Sequence, residues 1–151
     1  MHCLFFQPLT PDFDLLEPKS EEFSHKLDKQ KVILEEIKIV NNFTVRGKIL
    51  AKSFDTDLQM ASILYTFNNF RSFTKTPANK VHQDYNPHSP DLDLYTFKVK
   101  VTDYMSKLQF VIMYRAGDNQ YTDDNNGQLY TIFNPNNDTD TSESEDDYLG
   151  Y

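Results

Sequence analysis

The spacing of apolar residues changes at Lys31. Downstream, "VILEEIKIV" (32–40) and "FTVRGKILA" (43–51) flank Asn41-Asn42. In the second run Phe43, Val45, Ile49 and Ala51 share one face, and Thr44, Arg46, Lys48 and Leu50 share the other. A period of two marks a half-buried strand. "MASILYTF" (60–67) follows, then a polar stretch rich in Asn, Ser, Pro and Asp to about Pro90. "LYTFKVKV" (94–101) sets Tyr95, Phe97, Val99 and Val101 against Lys98 and Lys100. "KLQFVIMYR" (107–115) aligns Leu108, Phe110, Ile112 and Tyr114, and "QLYTIF" (128–133) closes the series. Six or seven short strands with turn signals between them, and no long helix, predict an antiparallel sandwich; the lack of crossover helices argues against a parallel sheet.

Residues 1–30 read differently. Prolines at 8, 11 and 18 forbid a regular helix across "FFQPLTPDFDLLEP", yet the apolar content is too high for a solvated linker. The expectation is an arm lying partly extended against the domain, with "SEEFSHKLDKQ" forming a short helix capped by Ser20. The domain itself is expected over 31–134. Beyond it, 135–151 is polar and acidic and is expected to be a disordered tail.

Composition narrows the function. The 151-residue length suits one domain with arms. The net charge is −8, and six acids with no Lys or Arg lie between Asn136 and Tyr151, leaving about −2 for the rest. That sign argues against nucleic acid, whose phosphates need a basic footprint, and against an anionic membrane surface. Cys3 is the only cysteine, so an internal disulfide or a cysteine zinc site is impossible, and a reducing compartment fits. The opening has neither the charge nor the apolar run of a signal peptide, and no stretch matches a membrane helix. The sequons at Asn42 and Asn137 are therefore read as chance.

Catalytic chemistry finds no footing. His82 and His88 lack zinc partners at a recognisable spacing, and His2 and His25 stand alone. There is no GxSxG, no phosphate-binding glycine loop and no HExxH, so a non-enzyme without a cofactor is expected. Binding chemistry centres on "NQYTDDNNGQLYTIF" (119–133). Asp118, Asp123, Asp124 and Asn125 raise a calcium reading, without any EF-hand register. Aromatics beside short amides raise a sugar reading: rings cover the apolar face of a glucan and amides or carboxylates bond its hydroxyl rim. Asn69, Phe70, Tyr85, Tyr121, Asp123, Asp124, Asn125 and Asn126 are the sugar candidates. The same residue types also make turns for their own sake. Ser142 and Ser144, each with an acid three residues on, are candidate phosphosites in the acidic tail.

The order of "YTFNNFRSFTKTPANKVHQDY" (65–85), "YTFKVKV" (95–101) and "LQFVIMYRAGDNQYTDDNNGQLYTIF" (108–133), with "VILEEIKIVNNFTVRGKILAKSFD" (32–55), resembles the family 21 starch- and glycogen-binding modules. "FFQPLTPDF" (5–13) resembles the segment preceding that module in glycogen-targeting subunits of type 1 protein phosphatase. The resemblance implies an immunoglobulin-like sandwich of about seven to eight strands that binds glycogen or another α-glucan. It also implies a scaffold that brings the phosphatase catalytic subunit to glycogen and glycogen synthase, in the cytoplasm on glycogen particles. In the family the loop before the last strand reads roughly Trp/Tyr-Asp-x-Asn-x-Gly-x-Asn-Tyr and serves sugar and enzyme recognition. Asp123, Asn125, Gly127 and Tyr130 match, which marks them as the expected partner-binding loop. Thr122, Leu129 and Phe70 depart from the pattern, and the departures imply a weakened sugar site. A basic-Val-x-Phe phosphatase-docking motif is not found; "KLQF" (107–110) is the nearest string and falls in an expected core strand. A protein-interaction scaffold on the same fold that has lost glucan binding is the rival, with the calcium-dependent module third.

Overall fold

The computed structural model describes residues 7–81 and 91–137. Tyr85, His82, His88, His2, Cys3, Ser142, Ser144 and the rest of the expected tail from Asp138 lie outside them. The elements are β1 (Thr10–Pro11), α1 (Glu21–Gln30), β2 (Val32–Val40), β3 (Thr44–Lys52), β4 (Gln59–Thr66), β5 (Thr74–Pro77), β6 (Asn79–Lys80), β7 (Leu92–Lys100), β8 (Lys107–Ala116), β9 (Asn119–Asp123) and β10 (Tyr130–Phe133). Every pairing is antiparallel. One sheet runs β1-β10-β8-β4-β5, with β9 also on β8; the other runs β2-β3-β7-β6. This is the expected all-β immunoglobulin-like sandwich.

The alternating faces close on one another as the period predicts. Val45, Ile49, Ile63, Phe97, Phe110, Ile112 and Tyr114 are buried in the core between the sheets. Gly47 is required there: a Cβ would meet the Phe97 ring at 2.1 Å. Leu50 breaks the polar face of β3 for a reason that lies upstream. Ile33, Leu50 and Leu94 form an apolar row on the outside of the smaller sheet, and α1 covers it with Phe23 and Leu27. The helix starts as the sequence predicts, with Ser20 Oγ accepting the Phe23 N–H at 3.1 Å, and ends on Lys31 in the left-handed region. Within the stretch read as an arm, Leu9 is buried, Thr10 and Pro11 pair with β10, and the Phe13 ring meets Tyr130 edge-on at 4.9 Å.

Three features depart from the sequence reading. β5 and β6 lie within what reads as one polar connection, and β9 lies within what reads as loop. Their residues are polar on both faces because they pair at sheet margins, so no alternation marks them. The last strand begins at Tyr130 and not Gln128, because Leu129 holds φ at 63°. Of the expected tail, Asn136 is tied to Gln7 through two hydrogen bonds, and Asn134, just before it, is buried against the carbonyls of Asp103 and Met105.

Candidate functional site

β9 and β10 pair in succession with the same edge of β8. Asp123 stands opposite Ile112 and Tyr130 opposite Phe110, so residues 124–129 are thrown outward beside Val111 alone. Asp123 anchors this loop from below and is 0% exposed. Its Oδ2 accepts the Leu34 N–H at 2.8 Å and the Tyr130 hydroxyl at 2.7 Å. Its Oδ1 accepts the Asn125 N–H at 3.2 Å, with Lys26 Nζ 3.7 Å away. Leu34 sits at a register irregularity of β2, so Asp123 satisfies a backbone donor there and ties the two sheets together. Burial first, and the Asp123 carboxylate second, push the Tyr130 hydroxyl well above the ordinary tyrosine range.

Above that anchor the loop holds itself. Asp124 Oδ1 accepts the Gly127 N–H at 2.9 Å, and its carbonyl accepts Leu129 N–H at 2.8 Å. Asn125 Nδ2 donates to the Leu129 carbonyl at 2.9 Å. Asn125, Asn126, Gly127 and Leu129 all have φ between 58° and 87°. Asn and Gly tolerate that region; leucine does not.

A second loop, residues 67–73, leaves the end of β4. The buried Thr66 hydroxyl is its hub. It accepts the Phe70 N–H at 3.0 Å and the Asn68 N–H at 3.2 Å, and its proton has the Ser72 carbonyl at 2.6 Å and Asn68 Oδ1 at 2.8 Å in reach. Asn68 closes the turn on Ser72 through both side-chain atoms. Asn69 and Phe70 are left-handed, at φ 58° and 64°. For a bulky aromatic that conformation costs about 1–2 kcal/mol. The Phe70 ring lies 6.3 Å from Phe73, which is 61% exposed. Between the two loops runs the outer-face row Thr66–Gln109–Thr131, with Gln109 Nε2 donating to Thr131 Oγ1 at 3.3 Å. β4 and β10 flank β8, so the row spans about 10 Å.

The candidates therefore separate. Asn69 and Phe70 stand together on the 67–73 loop, with Phe70 half-buried and Asn69 exposed. Asn126 and Gly127 are exposed at the tip of the other loop. Asp123 and Tyr130 are both buried, and Tyr130 stacks on Phe110 at 5.3 Å. The Asp124 and Asn125 side chains are committed to the loop's own backbone. The Tyr121 ring lies parallel to Phe54 at 5.7 Å and beside Tyr114. The sequence reading missed Phe73. Its signal was there in "NNFRSF", an aromatic three residues after Phe70 in a polar turn. Lys107–Phe110 lies in β8 with Leu108 and Phe110 buried, so it offers no docking string. Among the described residues no three His, Cys, Asp or Glu converge on a metal position, and no helix is long and apolar enough to cross a membrane.

Residues 26–133 match the carbohydrate/starch-binding module of family 21. Over 121 residues the chain is 23% identical to "Protein phosphatase 1 regulatory subunit 3C-B" of Danio rerio; the match takes in 78% of this chain and 37% of that protein. The fold superposes with a TM-score of 0.65, at 19% identity, on the solution structure of the carbohydrate binding module of the muscle glycogen-targeting subunit of Protein Phosphatase-1. That superposition covers 85% of this chain and 94% of the other.

Proposed function

The chain belongs to the family 21 carbohydrate/starch-binding modules, and from that premise we propose that it is a non-catalytic targeting module that grips glycogen or a related α-glucan through the 67–73 loop. The observation that carries this reading is Phe70. A half-buried phenylalanine held at φ 64° by a buried threonine hub, beside an exposed Phe73, is a strained residue in a surface turn. Strain of this kind gathers at ligand clamps. The rings present an apolar platform to a sugar face, and Asn69 stands beside them for the hydroxyl rim. The grip is weak, because Asp123, Asp124 and Asn125 turn their polar atoms inward and Thr122 offers no ring. The relative's name further supports a role with type 1 protein phosphatase; the proposal extends to glycogen synthase as the enzyme presented to it on cytoplasmic glycogen. No described residue is assigned the phosphatase contact.

Cosedimentation of the chain with glycogen tests the reading. Phe70→Gly relieves the left-handed strain while removing the ring, so it should keep the fold and lose roughly fivefold or more in glycogen affinity. Phe73→Ala should do the same. Equal pelleting of both variants with the unaltered chain would take the site away from this loop. A folded chain that never pellets would favour the scaffold reading, which the inward-turned groups of the 124–129 loop support.

A further inference from the structure

We propose that the uncovered half of the outer face of the smaller sheet is a docking surface for the acidic segment Asp138–Asp147 of this same chain. The helix covers only the end of this face that carries Ile33, Leu50 and Leu94. At the other end the register sets Lys38 opposite Arg46, Arg46 opposite Lys98, and Thr44 opposite Lys100. Like charges directly opposite one another oppose sheet formation, so folding alone gives no reason for the row. Glu36 is taken by Lys48 at 3.2 Å and lies 3.9 Å from Lys38. Arg46, Lys98 and Lys100 are exposed and make no ion pair among the described residues. The row walls a hollow of about 390 Å³ whose floor includes Gly47 and Phe97.

The occupant is argued from charge and from where the described chain ends. Asp138, Asp140, Glu143, Glu145, Asp146 and Asp147 fall within ten residues that contain no Lys or Arg. Asn137 donates from its side chain to the Tyr104 carbonyl. Tyr104 lies in the connection from Lys100 to Lys107, so the described chain ends against the segment that joins the two sheets, seven residues of chain at most from Lys100. Ten extended residues reach about 33 Å. The cationic rows from Lys100 to Lys48 extend only about 13 Å. Exposed ion pairs are individually weak, but a tether of this length supplies a millimolar-scale effective concentration. Phosphate on Ser142 or Ser144 adds charge to the segment and tightens its hold. The glucan loop lies on the other sheet, so the two surfaces work independently.

Zero-length carbodiimide crosslinking of the full chain, read by peptide mass spectrometry, tests this. The expected products join residues 138–147 to Lys38, Lys98 and Lys100, within one molecule, and fall severalfold when salt is raised to about 0.5 M. Links to Lys75 and Lys107 on the larger sheet serve as the comparison. Equal capture by those two lysines would overturn the proposal. Products found only between molecules in an isotope-mixed sample would also overturn it, moving the face to a second copy. Arg46→Glu with Lys98→Glu lies on the surface and keeps the fold; it should abolish the remaining links to Lys38 and Lys100.

Discussion

In the loop 124–129 the Asp124 and Asn125 side chains bond the loop's own backbone, whereas the loop 67–73 gathers on the Thr66 hydroxyl and leaves the Phe73 ring exposed. Both interrupt the same sheet, and both contain adjacent left-handed residues. They differ in what the strain serves. In the first, Asp123 sits beneath the loop as a buried bolt between the sheets, and the left-handed residues let the chain close over it. In the second, the Thr66 hydroxyl bonds the turn around it, and the strained residue is the one that carries the ring. A composition that reads as one kind of site thus contains a buried anchor, Asp123, and an exposed ring, Phe73, which the proposal makes part of a sugar platform.

Removing the anchor tests that division most severely. Asp123→Ala strands the Leu34 N–H and the Tyr130 hydroxyl in the interior, and frees the Asn125 N–H at the base of the loop. A loss of about 3–5 kcal/mol is expected, read as a lower urea midpoint. A loss under about 1 kcal/mol would mean that the carboxylate is not the bolt.

Alkaline pH attacks the buried tyrosines, Tyr130 at the anchor among them. Burial pushes the Tyr95 hydroxyl up to about 12 and the Tyr114 and Tyr130 hydroxyls further still. A raised folded value keeps the phenol protonated in the native state while the unfolded chain ionises near 10. The stability these groups contribute is therefore full below pH 10 and declines as pH climbs from 10 through 12 and beyond. Phenolate absorbance from Tyr95, Tyr114 and Tyr130 should appear late, in one cooperative step with loss of the fold. A single smooth rise with the fold intact would contradict the burial of these hydroxyls.

Thr66→Val probes the platform's support. Valine keeps the shape but leaves the Phe70 and Asn68 N–H groups without their acceptor. The loop lies at the surface, so water can replace part of what is lost, and about 1–2 kcal/mol is expected. Glycogen binding should fall with it, since Phe70 no longer has a reason to stay left-handed. Stability lost with binding unchanged would separate the hub from the platform.

How much of this was legible in the chain depends on the range of the cause. Ser20 and its helix, the hairpin at Asn41-Asn42 and the inward faces of β3, β7 and β8 follow from local pattern, and the structure has them. Leu50 was visible as an anomaly, an apolar residue on a polar face, but its explanation lies in Phe23 and Leu27, far upstream. Asp123 and Asp124 are neighbours of one type, and nothing local says which is swallowed. The decision comes from Leu34, 89 residues away, whose N–H stands at a strand irregularity. β5 and β9 were hidden because margin strands need no apolar face. Phe73 was missed although "NNFRSF" carried its signal, because an exposed ring has the same letter as a buried one.

Leu129 offers the gentlest test of the contrast. The resemblance sets an asparagine at this position, and an absent amide was the obvious reading of the departure. The backbone adds another: φ is 63°, where asparagine is tolerated and a leucine is strained. Leu129 is only half-buried, so little packing is lost on replacement. Leu129→Asn should therefore stabilise the domain by up to about 1 kcal/mol, seen as a higher urea midpoint with an unchanged slope. Glycogen cosedimentation of the same variant then separates strain from contact. Stability gained without binding makes position 129 a matter of backbone alone and leaves the grip to the 67–73 loop. Both gained together would give the anchored loop a share in the sugar site, and the division between anchor and platform would have to be redrawn at its tip.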